Sequence, residues 1–273
     1  MFRKLIRNIL ILSLFALLFS SCGEYERLLK SGDVIGKYEL GIKYYDEGNW
    51  VRASTLFEQI IPRLKGMAKA EEVDYKYAMS YYEMQDYTMA GHYFRTFVAT
   101  YYSSPHAEEA DFLSAYCYYK LSPRATLDQS NSINAINAFI LFKTKFPTSD
   151  KIEECDKYID EMKNKLVEKS FINARLYYHL EKYKAAITAI KNSLSDYPES
   201  EYREELIYLK LRSSFLLAEG SIRQKQQERY QDTVDEYYSF LDEYPKSKHK
   251  REAEKIYNES SDYLTKNPTS SNN

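Results

Sequence analysis

The sequence predicts an all-α solenoid of about five helix–turn–helix units closed by a C-terminal capping helix. Three observations carry that expectation. A Tyr-Tyr pair recurs at Tyr44-Tyr45, Tyr81-Tyr82, Tyr118-Tyr119 and Tyr177-Tyr178, each time three residues after a small residue: Gly41, Ala78, Ala115 and Ala174. Beyond a turn, each pair is followed by a small residue with an aromatic or aliphatic one four positions later: Ala53/Phe57, Ala90/Phe94, Ala135/Phe139 and Ala186/Ile190, with Thr233/Tyr237 as a degraded fifth copy. Three segments close alike, at Phe146-Pro147-Thr148-Ser149, Tyr197-Pro198-Glu199-Ser200 and Tyr244-Pro245-Lys246-Ser247. There an aromatic ends the apolar stripe, Pro stops the helix, and Ser is placed to cap the next one.

The elements are taken in chain order. Residues 1–21 read as a signal peptide: Arg3, Lys4 and Arg7 are basic, and Ile9 to Phe19 is apolar apart from Ser13. That stretch is too short for a permanent bilayer span. Ser20 and Ser21 then lead into Cys22, an order that resembles a bacterial lipoprotein signal. The resemblance implies that Cys22 becomes the acylated first residue, a covalent lipid being the only attached group expected. Gly23 in place of Asp implies the outer membrane. Each buried methylene contributes about 0.8 kcal/mol, so several acyl chains make a lasting anchor. Residues 22–33 form the lipidated N-terminus and a short polar lead-in, with Asp33 placed to cap the first helix of repeat one.

Repeats one and two occupy 34–104; repeats three to five with the capping helix occupy 105–265; the polar tail 266–273 is expected to be disordered. The interval from Ala53 to Ala90 is 37 residues, and the next ones are 45, 51 and 47, so the later repeats carry insertions. The first helix of repeat four is expected to begin near Asp150, since no breaker stands between there and Glu181. The small residues let two helix backbones approach, Gly41 and Ala53 being expected to face each other. The unit resembles the tetratricopeptide repeat, on Leu40, Gly41, Tyr44, Gly48, Ala53 and Phe57 and their counterparts.

Bulk composition excludes some functions. A net charge of −2 and a pI near 6.2 give no basis for general nucleic-acid binding. The four histidines contain no pair at i and i+4, so no helical zinc motif is present, and neither a phosphate-cradling glycine loop nor a nucleophile elbow occurs. No catalysis and no metal are therefore expected. Cys117 and Cys155 have no metal-ligand spacing and read as buried thiols. Twenty-eight tyrosines are more than a core of this size requires, and the amphipathic ring suits helix seams and half-exposed binding faces alike.

In a two-helix solenoid the first helix of each pair lines the groove. There Tyr45, Tyr82, Tyr119 and Tyr178 are expected to form one row. Seven residues earlier Tyr38, Tyr75, Phe112 and Phe171 form a second on the same face. Packing against neighbouring helices is the competing expectation for both rows. Two segments, Ser122–Ser132 and Ala218–Arg229, fall between the helices of a repeat and offer a partner edge through Arg124, Asp128, Gln129, Arg223, Arg229 and Tyr230. The second is charged, and also fits a solvated helix extension.

The order of features resembles the BamD family, lipoprotein subunits of the outer-membrane β-barrel assembly machine. The residues carrying this are Tyr38 to Phe57, Ala90-Gly91-His92-Tyr93-Phe94, Ser122-Pro123-Arg124 with Leu127-Asp128-Gln129, and Glu228-Arg229-Tyr230-Gln231-Asp232. The resemblance implies a scaffold tethered to the periplasmic face of the outer membrane. Such a scaffold docks on the periplasmic domains of a BamA-type insertase through its C-terminal repeats and receives the C-termini of unfolded β-barrel precursors. Rival readings are a secretin pilot, a cell-wall coordination factor, and a glycan-capturing lipoprotein. The last usually needs exposed Trp platforms, and Trp50 is the only Trp.

Overall fold

The structure is a computed structural model and describes residues 23–267. A helical lead-in over residues 23–30 precedes eleven longer helices, and no strand occurs among the described residues. The chain divides into two compact units. Unit 1 runs to Ser122 and resumes over Ser130–Met162; unit 2 comprises Pro123–Gln129 and the chain from Lys163 onward.

Unit 1 contains α1 (Val34–Asp46), α2 (Trp50–Leu64), α3 (Ala70–Glu83), α4 (Tyr87–Thr100), α5 (Ala107–Leu121), α6 (Ser130–Lys145) and the first part of α7 (Ile152–His179). Its turns show why the Tyr-Tyr phrase repeats. At the end of α1 the Asn49 amide donates to the Tyr44 carbonyl at 2.7 Å, with Gly48 at φ +74°. At the end of α3 the Asp86 amide donates to the Tyr81 carbonyl at 3.0 Å, with Gln85 at φ +60°. This left-handed closure satisfies carbonyls that the ending helix leaves unpaired. The next residue then caps the second helix: the Asn49 side chain accepts from Arg52 N and that of Asp86 from Met89 N.

The small residues mark close approaches. A Cβ added at Gly41 would lie 2.7 Å from Phe57 Cε1, so the facing group is the Phe57 ring rather than Ala53. Two contiguous clusters fill unit 1. One centres on Leu40, Leu56, Phe57, Ile60 and Val73, the other on Phe94, Phe97, Phe139, Phe142 and Met162. The second cluster joins α4 to α5, and the division between the two units falls inside α7. Cys117 and Cys155 are free and buried in that cluster, and burial pushes their thiols up to about 12 and about 11.

Unit 2 contains the rest of α7, then α8 (Tyr183–Asp196), α9 (Arg203–Glu219), α10 (Arg223–Glu243) and α11 (Lys250–Lys266). The turn after α7 repeats the left-handed closure, with Glu181 at φ +57° and the Lys182 amide 3.0 Å from the Tyr177 carbonyl. One cluster joins Phe171, Ala174, Ile190, Leu206 and Leu209; another joins Leu211, Tyr237, Phe240, Ala253 and Ile256. α9 contributes to both clusters, so it is apolar on opposing faces. The capping helix is α11, starting at Lys250.

The three Pro-containing closures do not cap as expected. Ser149, Ser200 and Ser247 lie two residues ahead of the cap position, and each accepts from the amide two residues on: Lys151 at 3.2 Å, Tyr202 at 3.2 Å and His249 at 3.0 Å. They close the turn, not the helix. Ser104 does the same for His106 at 3.0 Å, a fourth copy without Pro at the matching position. Of the two readings of Ala218–Arg229, the helix extension describes most of it: α9 continues to Glu219 and α10 begins at Arg223.

Candidate functional site

The most developed surface is the aromatic face on the first helices of unit 1's pairs. Tyr38 and Tyr45 lie on α1, Tyr75 and Tyr82 on α3, Phe112 and Tyr119 on α5. The seven-residue spacing returns each pair to one side of its helix. The Tyr38 hydroxyl donates to Glu72 at 2.7 Å and that of Tyr75 to Glu109 at 2.7 Å. Both carboxylates sit in the first turn of the next repeat's first helix, where the helix dipole favours negative charge. The Tyr119 hydroxyl donates to Glu161 on α7 at 2.7 Å. Three of these rings therefore tie one repeat to the next. Burial, helped by Glu72, pushes the Tyr38 hydroxyl up to about 12; the Glu161 hydrogen bond, helped by burial, pushes that of Tyr119 up to about 12.

The rings also meet one another, in one group around Tyr45 and a second running from Tyr82 to Tyr119. Tyr45 meets Trp50 edge-on at 5.1 Å and Phe57 at 6.5 Å. Tyr82 meets Tyr87, Phe94 and Tyr116 at 5.7, 6.2 and 6.5 Å. Tyr116 stacks on Phe112 at 6.2 Å and on Tyr119 at 5.4 Å, and both Tyr116 and Tyr119 touch Tyr158. Lysines cap several rings: Lys69 Nζ is 3.7 Å from the Tyr38 centroid, Lys76 Nζ 4.2 Å from Tyr45, and Lys151 Nζ 4.8 Å from Phe112. Tyr38, Tyr45, Tyr75, Tyr82 and Tyr119 are half-buried, whereas Phe112, 6 % exposed, belongs to the core. Tyr116 is the half-buried member that the Tyr-Tyr phrase does not reveal; its signal is the i, i+4 and i, i+3 spacing to Phe112 and Tyr119.

Phe171 and Tyr178 belong to unit 2 and meet different partners. Phe171 is 5 % exposed and stacks on Tyr202 at 4.3 Å. Tyr178 is half-buried, 6.1 Å from Tyr183, with the Arg212 guanidinium 5.4 Å above it. Phe112 and Phe171 thus offer no open ring, because each fills a helix seam. Tyr177 and its exposed neighbours instead border an open surface groove of about 900 Å³, lined by Tyr183, Ala185, Ala189, Leu216 and Leu217.

Two partner-edge candidates are corrected. Gln129 is 6 % exposed, and its side-chain amide donates to the carbonyls of Arg124 and Leu127 at 2.9 and 3.1 Å, so it holds its own loop. That loop also receives Lys169 Nζ on the Thr126 carbonyl at 2.8 Å. Tyr230 is 7 % exposed and stacks on Tyr263 at 4.2 Å, in the seam between α10 and α11. Arg229 is hydrogen-bonded to Ser221. Arg124, Asp128 and Arg223 are exposed. Among the described residues, no three or more His, Cys, Asp or Glu side chains are grouped to hold a metal, and no helix is long and apolar enough to cross a membrane.

A family model described as outer membrane lipoprotein, YfiO, matches residues 33–215. The chain belongs to that family. The match begins at the cap of α1 and ends within α9, so it takes in the whole aromatic face of unit 1. Cys22 lies ahead of it and outside the described residues. No curated protein matches the chain. Among solved structures, TTC0263, a thermophilic tetratricopeptide protein of Thermus thermophilus, is 16% identical with a TM-score of 0.32, over 84% of this chain and 99% of its own. The TPR2AB domain of yeast Sti1, solved as a pHSP90 complex, is 14% identical with a TM-score of 0.36, over 84% of this chain and 98% of its own. As a member of the YfiO family the chain is an outer membrane lipoprotein of tetratricopeptide-type helix pairs, an architecture that builds extended faces for protein partners.

Proposed function

We propose that this chain is a non-catalytic scaffold of the β-barrel assembly machinery, held by a lipid on Cys22 at the periplasmic face of the outer membrane. In this reading unit 1 receives the C-terminal segment of an unfolded β-barrel precursor. Unit 2, with its open groove beside Tyr177, docks on the periplasmic domains of a BamA-type insertase. The observation that carries the reading is the aromatic wall of Tyr82, Tyr116 and Tyr119 in a family of outer membrane lipoproteins. Half-buried tyrosines give area for aromatic side chains without ordering cost, and the ring-capping lysines suit a terminal carboxylate. The carboxylates of the same face are engaged by phenols, which lessens their repulsion of such a terminus.

The experiment is binding of a labelled barrel C-terminal peptide, ending in an aromatic residue, to the wild type and to Tyr82→Ala and Tyr116→Ala variants. Loss of a real aromatic anchor costs about 2 kcal/mol or more, roughly thirtyfold in Kd. Unchanged affinity in both folded variants would remove the peptide reading. Photocrosslinking from position 227 in cells should recover a large barrel protein with periplasmic repeats; recovery of other partners alone would remove the insertase reading.

A further inference from the structure

We propose that the α1–α2 turn, Gly48-Asn49-Trp50-Val51, lies against the phospholipid headgroups, because the lipid-bearing end of the chain is docked on unit 1 without a linker. This rests on the lipid-anchor reading of Cys22. The short lead-in is a packed helix: Tyr25, Leu28 and Leu29 join the cluster of Leu40, Tyr44 and Phe57. Tyr25 meets Tyr44 edge-on at 5.7 Å, and the Arg52 guanidinium lies 5.1 Å from Tyr25 and 5.3 Å from Tyr44.

The other end of the lead-in is fixed as well. Ser31 Oγ donates to the Leu28 carbonyl at 2.9 Å; Lys37 Nζ donates to the Ser31 carbonyl and to Gln59 Oε1, both at 2.6 Å; Arg63 donates to the Gly32 carbonyl at 3.3 Å. The lead-in runs back along α1. Leu28 lies beside Gly36 near the start of α1, and Tyr25 beside Tyr44 near its end. Continuing backward from Tyr25 therefore leads toward the α1–α2 turn.

Cys22 stands only three positions before Tyr25, a reach of at most about 11 Å even fully extended. The headgroup layer on each side of a bilayer is itself about 5–8 Å thick. An acylated Cys22 thus holds Tyr25, and the end of α1 packed against it, close to the lipid surface. The start of α2 suits that position: Val51, in its first turn, is 63 % exposed, and Trp50 is half-buried against Tyr45. A Trp ring of that kind favours the membrane–water interface.

Trp50 is the only tryptophan, so its fluorescence reports on this turn alone. The lipidated full-length mature protein is reconstituted into phosphatidylethanolamine/phosphatidylglycerol vesicles containing a headgroup nitroxide lipid. A second form carries a flexible Gly/Ser spacer of about a dozen residues after Gly23, adding about 20 Å of reach. The expected result is quenching of Trp50 in the native-length protein, loss of that quenching with the spacer, and none for a soluble Cys22→Ala variant mixed with the same vesicles. Circular dichroism confirms that each form is folded. A vesicle-bound native-length protein with unquenched Trp50 would overturn the proposal while leaving the anchor standing. Quenching that survives the spacer would overturn the docked lead-in as its cause. Native-length protein that stays off the vesicles would overturn the anchor reading, and the proposal with it.

Discussion

Gly41→Ala isolates the close approach on which the repeat is built. Intrinsic helix propensity favours Ala over Gly by about 1 kcal/mol in a helix interior, so without tertiary contacts the change would stabilise α1. The structure reverses that sign. The new Cβ would stand 2.7 Å from Cε1 and 3.1 Å from Cδ1 of Phe57, whose ring is wholly buried and backed by Tyr45. No solvent lies beyond the ring, so the helices must part. Overpacking of this kind costs about 1–3 kcal/mol. The net expectation is a loss of about 1 kcal/mol, or about 2–4 °C in Tm for a chain of this size. Gly91→Ala is the matched control. Its Cβ would meet Cys117 Cβ at 3.1 Å, only a few tenths of an ångström inside ordinary contact. Propensity and strain then nearly cancel, within about 0.5 kcal/mol. Urea unfolding followed by circular dichroism measures both, with an unchanged m-value required for the comparison. A Gly41→Ala protein as stable as the wild type, or more so, would refute the assignment of the repeat's small residue to helix approach.

Unit 1 supplies three further expected outcomes. Gln85→Gly should raise stability by about 0.5–1 kcal/mol, since Gln85 holds a left-handed conformation that disfavours a side chain; the urea midpoint checks it. Tyr75→Phe and Glu109→Gln should be non-additive in a double-mutant cycle by about 0.5–1.5 kcal/mol, because the 2.7 Å bond joins repeats two and three; additive losses would mean that the tie contributes nothing. Asp74 is raised above 3.8 by burial, against the lowering effects of the Tyr101 hydrogen bond at 2.8 Å and of Lys65. A carboxyl raised on folding favours the folded state when protonated, and that contribution is lost as pH rises through the folded value. Asp74→Asn, which keeps an acceptor for Tyr101, should therefore stabilise at neutral pH, with the advantage shrinking on acidification; urea midpoints at two pH values test the sign.

Much of the fold was legible because its determinants are local. The Tyr-Tyr phrase sits where a helix carbonyl must be closed by a left-handed turn, and that requirement recurs at Tyr44, Tyr81 and Tyr177. The long first helix of repeat four was readable from the lack of breakers, and α7 begins at Ile152. What was misread or left open depends on tertiary surroundings. Residues 223–229 fit either a partner loop or a solvated helix extension by sequence, and only the structure decides for the helix, whose water-facing side needs no apolar residue. Gln129 and Tyr230 look like surface groups by type, and only the packed structure shows them satisfied inside it. The lead-in carried a readable stripe in Tyr25, Leu28 and Leu29, spaced i, i+3, i+4, but its charged residues outweighed it in a reading by composition.

The aromatic face has two tasks, and that decides which residues can report on binding. Tyr38, Tyr75 and Tyr119 each carry a hydroxyl bonded to a carboxylate on another helix, so truncation would loosen the stacking of repeats as well as remove ring surface. A binding loss in Tyr75→Ala would follow from either cause. Tyr82 meets its neighbours through ring faces and edges and lies over the wholly buried Phe94; Tyr116 does likewise, with its hydroxyl also engaging that of Tyr158. Their truncation removes contact area while the phenol–carboxylate ties from Tyr38 to Glu72 and from Tyr75 to Glu109 remain. A scaffold that had only to stack its repeats would need the tied tyrosines and could fill the places of Tyr82 and Tyr116 with Leu, at less exposed aromatic surface. Tyr82→Leu with Tyr116→Leu should thus lower unfolding stability, measured by urea titration, by a smaller free energy than it removes from peptide binding. Equal losses of stability and affinity would show the wall to be seam filler alone.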